Sequence, residues 1–305
     1  MTSSFLTLPV ELVYRILDHF DNLNIICSTR NVCIRINRIV DTYYRYQTLS
    51  TLSLRSGCRQ SKRIQSLADA LQYNMILTTL DLKSSHIGNE GIRHLTNGLR
   101  NNTTLCTLNV ERNGIGPEGA YYLANILKNN ITLTTIDLGA NIIRSQGAKH
   151  LANGLQYNTT LIKLCLRSND IDSEGIKDIA DTLQHNSSLI TLNLSYNHIG
   201  PQGAHYLSNA LEHNTTLTEL DIGWNRIACK GAHYFANALQ HNTTLITLNC
   251  IHNQIGFEGA EQLADALEHN TTLISLDIMY NDFNSEYVND FDERTGIDEK
   301  RIKLQ

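Results

Sequence analysis

The sequence is poor in the residues that mark several protein classes. It has three prolines among 305 residues, which excludes a Pro-rich linker protein. Its seven cysteines are odd in number and form no CxxC pair, so they predict no disulfide framework and suit a reducing compartment. No apolar run approaches the roughly 18 residues of a membrane span, and the N-terminus lacks a basic stretch followed by an uninterrupted apolar one. We therefore expect a protein of the cytoplasm or nucleus that does not act at a membrane.

Motifs of catalysis and of nucleic-acid binding are missing as well. The chain has no Gly-rich phosphate loop followed by Lys, no HExxH and no GxSxG. Its net charge is −5, and neither half carries the basic stripe of a nucleic-acid-binding protein. We expect no catalytic residues, no cofactor, no metal site and no nucleic-acid partner.

A repeat of 28 residues is what the sequence has instead. In the unit Leu189–Thr216, the alternation of Leu192 and Leu194 predicts a short strand, while Ala204 and Leu207 at helical spacing predict a helix. Because one strand and one helix of this size cannot bury their apolar faces alone, neighbouring units must stack and share a core. Nine units begin, without a gap, at Leu49, Leu77, Leu105, Leu133, Leu161, Leu189, Leu217, Leu245 and Leu273.

The repeated pattern LxxLxLxxNxIGxxGAxxLAxxL resembles the ribonuclease-inhibitor class of leucine-rich repeats, over roughly residues 49–281. The resemblance implies an α/β horseshoe with a parallel sheet on the concave side and helices on the convex side. The predicted division is a helical module over 1–48, an atypical first repeat or cap over 49–76, seven regular repeats over 77–272, and an incomplete last repeat with a polar cap and a frayed tail over 273–305.

Three other residue types recur at a fixed place in several of the units. Glycines suit a turn or close packing just ahead of each helix. They are Gly91, Gly119, Gly147, Gly175, Gly203, Gly231 and Gly259. Asparagines in N-glycosylation triplets follow the helices, where a side chain that tolerates left-handed geometry makes a good cap. They are Asn102, Asn158, Asn186, Asn214, Asn242 and Asn270. Histidines precede four of them, at His185, His213, His241 and His269. The helix dipole favours a histidine at the C-terminal end of a helix. We therefore interpret the asparagine and histidine columns as structural.

The first 48 residues resemble an F-box. Leu12, Ile16 and Phe20 share one stripe of a helix that should begin near Pro9. The resemblance implies docking onto the Skp-type adaptor of a cullin-RING ubiquitin ligase. Some forty residues form only a marginal core, so the module should lean on the first repeat, on a partner or on both. The alternative is a helical cap that covers the open end of the array and binds nothing. The matching residues are Leu8, Pro9, Glu11, Leu12, Ile16, Leu17, Val32 and Cys33.

The eighth position of each unit gives the predicted binding surface. It carries a large ring in four consecutive units, and equivalent residues of neighbouring parallel strands lie about 5 Å apart, so the rings should form one column on the concave side. Trp and Tyr are favoured anchors at protein interfaces. The alternative is that the rings stack only on each other and cover the sheet. The predicted contact residues are Tyr196, Trp224, His252, Tyr280, Glu219, Ile251 and Met279. The opposite half should be basic through Arg55, Lys83, Arg112 and Arg167, with Glu111 as an interruption.

Together these features predict a monomeric substrate-recognition subunit within a Skp-cullin-F-box-type ubiquitin ligase. The N-terminal module would join the adaptor and cullin, while the concave face would hold an unknown protein substrate. Such a subunit acts by raising the effective concentration of its substrate at the conjugating enzyme. The alternative is a non-enzymatic interaction module, such as an inhibitor, scaffold or sensor, whose N-terminal helices serve as a cap only. A GTPase activator follows from the repeat resemblance alone.

Overall fold

The computed structural model describes residues 10–18, 49–55, 61–283 and 301–304. Within these ranges, each of the first eight 28-residue units places one three-residue strand ahead of one helix. The strands are β1 (Thr51–Ser53), β2 (Thr79–Asp81), β3 (Thr107–Asn109), β4 (Thr135–Asp137), β5 (Lys163–Cys165), β6 (Thr191–Asn193), β7 (Glu219–Asp221), β8 (Thr247–Asn249), β9 (Ser275–Asp277) and β10 (Ile302–Lys303). The helices are α1 (Val10–Leu17), α2 (Ser61–Leu71), α3 (Gly88–Leu99), α4 (Pro117–Leu127), α5 (Arg144–Leu155), α6 (Ser173–Leu183), α7 (Gly200–Leu211), α8 (Ala228–Leu239) and α9 (Gly256–His269).

The strands form one parallel sheet in chain order from β1 to β10. From β1 to β9, each Cα pairs with the residue 28 positions further along, as Leu192 does with Leu220. Because the side chains of a strand alternate between its two faces, a slip of one residue would expose every core leucine. The strict period therefore fixes the register. The predicted horseshoe, an open parallel sheet alternating with helices, is confirmed.

A ladder of buried asparagines ties each unit to the next. The Nδ2 of Asn225 donates to the carbonyl of Leu194 in the unit before it, at 2.9 Å. Its Oδ1 accepts from the backbone N–H groups of Asn197 and Ile199, at 3.1 and 3.3 Å. Buried backbone groups must find partners, and a three-residue strand supplies few of them. The members of this inner ladder are Asn113, Asn141, Asn169, Asn197, Asn225, Asn253 and Asn281.

The asparagines of the glycosylation triplets form a second ladder where the helices end. The Nδ2 of Asn102 donates to the carbonyl of Leu71, at 2.8 Å, and its Oδ1 accepts from Leu105 N, also at 2.8 Å. The structural interpretation of this column gains support, since the amide nitrogen that a glycan would modify is buried and bonded. The predicted left-handed geometry is wrong, however, because Asn270 has φ −81° and ψ 117°. These side chains bridge neighbouring units, and their own backbone needs no unusual conformation.

The repeated glycines serve close packing. A Cβ on Gly119 would lie 2.5 Å from Cγ2 of Ile115, and one on Gly203 equally close to Cγ2 of Ile199. Their predicted place just ahead of each helix is wrong, because Gly119 and Gly203 lie inside the first turns of α4 and α7. A bare backbone there lets the helix start pack directly on the preceding isoleucine.

Both ends of the array are covered. At the N-terminal end, Val13 of α1 is fully buried in the common hydrophobic core, with Tyr14 packed against it. At the C-terminal end, β10 pairs with β9, and Ile302 is 2% exposed, so the expected frayed tail is wrong for residues 301–304. The guanidinium of Arg301 donates to the carbonyls of Leu267 and Leu273, both at 2.8 Å, and also to that of Asn270. Arg301 thus takes over the role of the next asparagine in the outer ladder.

Candidate functional site

The four predicted ring residues share a backbone conformation that the sequence did not indicate. Tyr196, Trp224, His252 and Tyr280 each follow a strand and have φ between 54° and 60°, in the left-handed region. This region costs a residue with a Cβ roughly 1–2 kcal/mol and is uncommon for bulky side chains. The left-handed conformation ends the strand, although the N–H of Tyr196 still donates to the carbonyl of Gly223, at 2.8 Å. The rings consequently stand where each strand turns away from the sheet.

Three of the four rings form a continuous stack. The centroids of Tyr196 and Trp224 lie 5.0 Å apart with the rings 10° from parallel, and those of Trp224 and His252 lie 3.6 Å apart at 17°. The guanidinium carbon of Arg167 lies 4.6 Å from the centroid of Tyr196 and extends the stack by one cation. Tyr280 is 69% exposed and joins no ring contact found within residues 61–283. The predicted column is thus realised as three rings and an arginine.

Stacking does not cover the rings. Tyr196 remains 42% exposed and Trp224 41% exposed, even though each lies against a neighbour. Stacking alone therefore does not account for the column, because the rings shield one another and still present a broad aromatic surface to solvent. Binding at this surface stays a prediction. Surface of this kind is costly in water and is typical of interaction sites.

A groove of about 320 Å³ runs beside the stack, and we call it the ring groove. Its far wall comes from the tenth position of the same units, two residues beyond each ring. Sequence reasoning missed these residues, although a 28-residue alignment shows them as a second variable column. The residues that line the ring groove are Tyr196, Asn197, His198, Trp224, Arg226, His252 and Gln254.

The fifth position of most units carries Asp or Asn, and we call these side chains the polar ladder. Their hydrogen bonds are structural. The Oδ1 of Asp221 accepts from the backbone N–H of Gly223, at 3.0 Å, and Asn193 Nδ2 donates to the other carboxylate oxygen, at 2.8 Å. Burial raises the pKa of Asp221, against the lowering effect of these hydrogen bonds. Glu219 is exposed at the strand start and accepts from the Thr191 hydroxyl, at 3.0 Å. Ile251, predicted to add apolar surface, is half-buried, and so is Met279.

A second row of exposed apolar side chains lies at the opposite edge of the same strands. These residues occupy the second position of their units, six residues before the eighth, so the two positions lie at most roughly 20 Å apart along the chain direction of the strand. Sequence reasoning passed over them because other units carry Ser, Thr or Cys at this position. They are Ile162, Ile190, Ile246 and Ile274, which are 37%, 39%, 40% and 66% exposed. The C-terminal half of the array therefore exposes apolar side chains at both edges of its sheet.

The family comparison agrees with this geometry. The profile described as Leucine Rich repeat matches residues 73–95, 101–124, 157–180, 185–208, 213–236, 241–264 and 269–286, which together make just over half of the chain. The chain belongs to the leucine-rich repeat family. Among solved structures it is similar to Leiomodin-1 Actin-Binding Site 2 (ABS2), with 27% identity over 48% of this chain and 86% of that chain and a TM-score of 0.43. No curated protein matches.

The N-terminal half of the leucine-rich repeat sheet is less basic than expected, because its cations are paired. Arg55 bonds Asp81, at 2.7 Å. Glu111 forms an ion pair with Lys83, and its carboxylate lies 3.5 Å from the guanidinium of Arg112. Arg167, the fourth predicted cation, lies instead over the ring of Tyr196. The exposed rings of the C-terminal half are therefore a more distinctive surface than the paired cations of the N-terminal half.

Other reactive side chains of the leucine-rich repeats have structural surroundings. The ring nitrogens of His213 and His241 lie 3.1 and 3.2 Å from carbonyls one helical turn earlier, as expected for residues at helix ends. The described residues include no group of three or more His, Cys, Asp or Glu placed to hold a metal ion. Burial, followed by the charge of Asp137, raises the pKa of Cys165 to about 12, which keeps this thiol protonated and weakly nucleophilic. None of the described helices is long and apolar enough to cross a bilayer.

The structure describes only part of the F-box-like segment that precedes the leucine-rich repeats. Helix α1 begins directly after Pro9, where the sequence predicts it. Glu11 is exposed and Ile16 half-buried. The remaining predicted residues lie outside the described residues, or their side chains do: Leu8, Pro9, Leu12, Leu17, Val32 and Cys33.

Proposed function

We propose that this leucine-rich repeat protein is the substrate-recognition subunit of a Skp-cullin-F-box-type ubiquitin ligase. Its ring stack binds the substrate, and residues 8–44 bind the Skp-type adaptor. The observation that carries the substrate half is the exposed stack of Tyr196, Trp224 and His252. The left-handed backbone belongs to the repeat itself, so the rings, and not the backbone, distinguish these units. The same conformation occurs at Ser84, Arg112, Ala140 and Ser168.

The distribution of exposed apolar groups supports a protein as the ligand. Rings mark one edge of units six to nine, and Ile190, Ile246 and Ile274 mark the other, with the polar ladder between them. Two separated rows of apolar anchors, at most about 20 Å apart, suit a folded partner or a long segment more than a small molecule. Aromatic anchors beside polar groups are typical of the energetic centre of a protein interface.

The adaptor half of the proposal rests on the F-box resemblance and on the faces of α1. Val13 belongs to the core of the array, whereas Glu11 and Arg15 are exposed. By the helical period, positions 12 and 16 lie between these two faces. One helix therefore has room both to cap the array and to dock onto an adaptor.

Burial of Val13 favours a second candidate, in which α1 serves as a cap only and the chain is a plain interaction module. The two candidates differ in the role of positions 12 and 16 of α1. A helix that only caps the array uses the burial of Val13, whereas a helix that also docks onto the adaptor uses positions 12 and 16 as contact residues.

Leu12→Asp combined with Ile16→Asp is expected to abolish recovery of the Skp-type adaptor and cullin with the full chain. A charge forced into an apolar interface costs about 3 kcal/mol or more, which is above a hundredfold in affinity. Quantitative mass spectrometry of affinity-purified complexes measures this recovery. Arg15→Asp places the same charge on the exposed face of α1 and should leave recovery unchanged. Equal recovery with both variants, or no adaptor with the unaltered chain, contradicts the ligase role and leaves the cap.

Trp224→Ala combined with Tyr196→Ala is expected to weaken substrate recovery by about thirtyfold or more, because interface anchors contribute upwards of 2 kcal/mol. The measurement is the same purification, followed by the affinity of the purified substrate for each variant. Tyr157→Ala is the matched control, since Tyr157 is 64% exposed and lies beyond the end of α5. A substrate that binds the double variant unchanged places recognition away from the ring stack.

A further inference from the structure

The ring groove combines aromatic surface with hydrogen-bond donors. One wall is the stack of Tyr196, Trp224 and His252, and the other carries Arg226 and Gln254. None of the seven described lining residues is a carboxylate, although acidic residues exceed basic ones in the chain by 30 to 25. The described lining of the groove therefore lacks the acidic residues that predominate in the chain as a whole.

The basic side chains around the groove differ in whether they have an acidic partner. The ring of His198 lies 3.3 Å from Asp170, which also lies 3.6 Å from the guanidinium of Arg144, so Asp170 serves both. Arg226 is exposed and has no ion pair to any carboxylate among the described residues. Among the residues that the structure describes, the groove therefore offers one guanidinium without a carboxylate partner, beside an aromatic wall.

We propose that the ring groove binds an extended peptide segment in which an acidic residue stands next to an aromatic one. The peptide ring packs against Trp224, and its carboxylate accepts a forked pair of hydrogen bonds from Arg226. This inference rests on the proposed protein-binding function and names the chemistry of the bound segment. A volume of about 320 Å³ lies at the low end of ligand pockets, which span roughly 300–1,000 Å³, and so suits one or two side chains.

The surroundings favour a peptide over single-stranded nucleic acid. Stacked rings beside an arginine are also a platform for nucleobases. A chain of phosphates leaving the groove past His198 would nevertheless meet Asp170, which lies 3.3 Å from that histidine. A peptide carries its single carboxylate to Arg226 and need present no charge to Asp170.

The only tryptophan of the chain lies in this groove, so its emission reports binding there. We would titrate the full chain with four probes, namely a ten-residue peptide with a central Glu-Phe, the same peptide with Gln-Phe, the same with Glu-Ala, and a ten-nucleotide oligouridine. The Glu-Phe peptide should change the tryptophan emission saturably. The affinity of each altered peptide should be lower by about tenfold or more. Arg226→Gln should lower the affinity for the Glu-Phe peptide to that of the Gln-Phe peptide, and should not affect the latter.

Arg93→Gln is the matched control, because Arg93 is a surface arginine of α3 paired with Glu90. It should bind all probes like the unaltered chain. The proposal is overturned if Glu-Phe and Gln-Phe peptides bind equally, if no peptide changes the emission, or if oligouridine binds more tightly than any peptide. A substrate whose recovery depends on Trp224 but not on Arg226 overturns this inference alone. Peptide binding without recovery of adaptor and cullin overturns the ligase role alone.

Discussion

Asn225→Ala is expected to lower the free energy of unfolding by about 3–5 kcal/mol, because it leaves several buried backbone groups without partners. Asn225 is 0% exposed. Its Nδ2 donates to the carbonyls of Leu194, Ile222 and Gly223, at 2.9 to 3.1 Å. Its Oδ1 accepts from two N–H groups of the preceding unit. Denaturation in urea, followed by circular dichroism, measures the loss.

Where the Asn225→Ala variant loses stability is as informative as how much stability it loses. In a repeat array each unit contacts mainly its neighbours, so amide hydrogen exchange should accelerate first in the sixth and seventh units. Asn237→Ala is the control, because Asn237 lies on the exposed side of α8 and should change stability by no more than about 0.5 kcal/mol. Equal stability of the two variants would show that water replaces the amide of Asn225 without cost.

The period of the sequence predicts the register of the sheet because every unit solves the same packing problem. Leu192 meets Leu220 for the same reason that Leu220 meets Leu248, so one spacing determines the pairing throughout β1 to β9. The second asparagine ladder shows where this reasoning stops. Recurrence indicates that Asn102 has a structural role, but its partner, the carbonyl of Leu71, lies in another unit and follows only from the stacked geometry.

The candidate site depends on differences between units, and the period does not predict those. The eighth position predicts that rings lie next to each other, yet it does not predict that Tyr280 stands apart or that Arg167 continues the stack. Pairing of Glu111 with Lys83 likewise depends on side-chain reach between units. Arg226 faces the rings because the chain turns left-handed both at the eighth position and at the tenth, with φ 56° at Arg226.

Phe235→Ala is expected to cost about 3–5 kcal/mol, because it removes a large side chain from a rigid interior and leaves a cavity. Phe235 is 0% exposed on α8, and neighbouring units carry Leu207 and Leu263 at the equivalent position. Phe235→Leu therefore restores the residue that the repeat itself uses there, and should cost less than about 1.5 kcal/mol.

Phe257→Ala makes the same chemical change at a site that is 42% exposed, and should cost about 1 kcal/mol or less. Urea denaturation of the three variants ranks them. If Phe235→Leu proved as damaging as Phe235→Ala, the seventh unit would have a core shaped specifically around its phenyl ring. Since that unit also carries Trp224, its packing would then set the geometry of the ring groove. A small cost for Phe235→Leu instead means that the core is interchangeable between units, and that the individuality of this protein lies in its exposed columns.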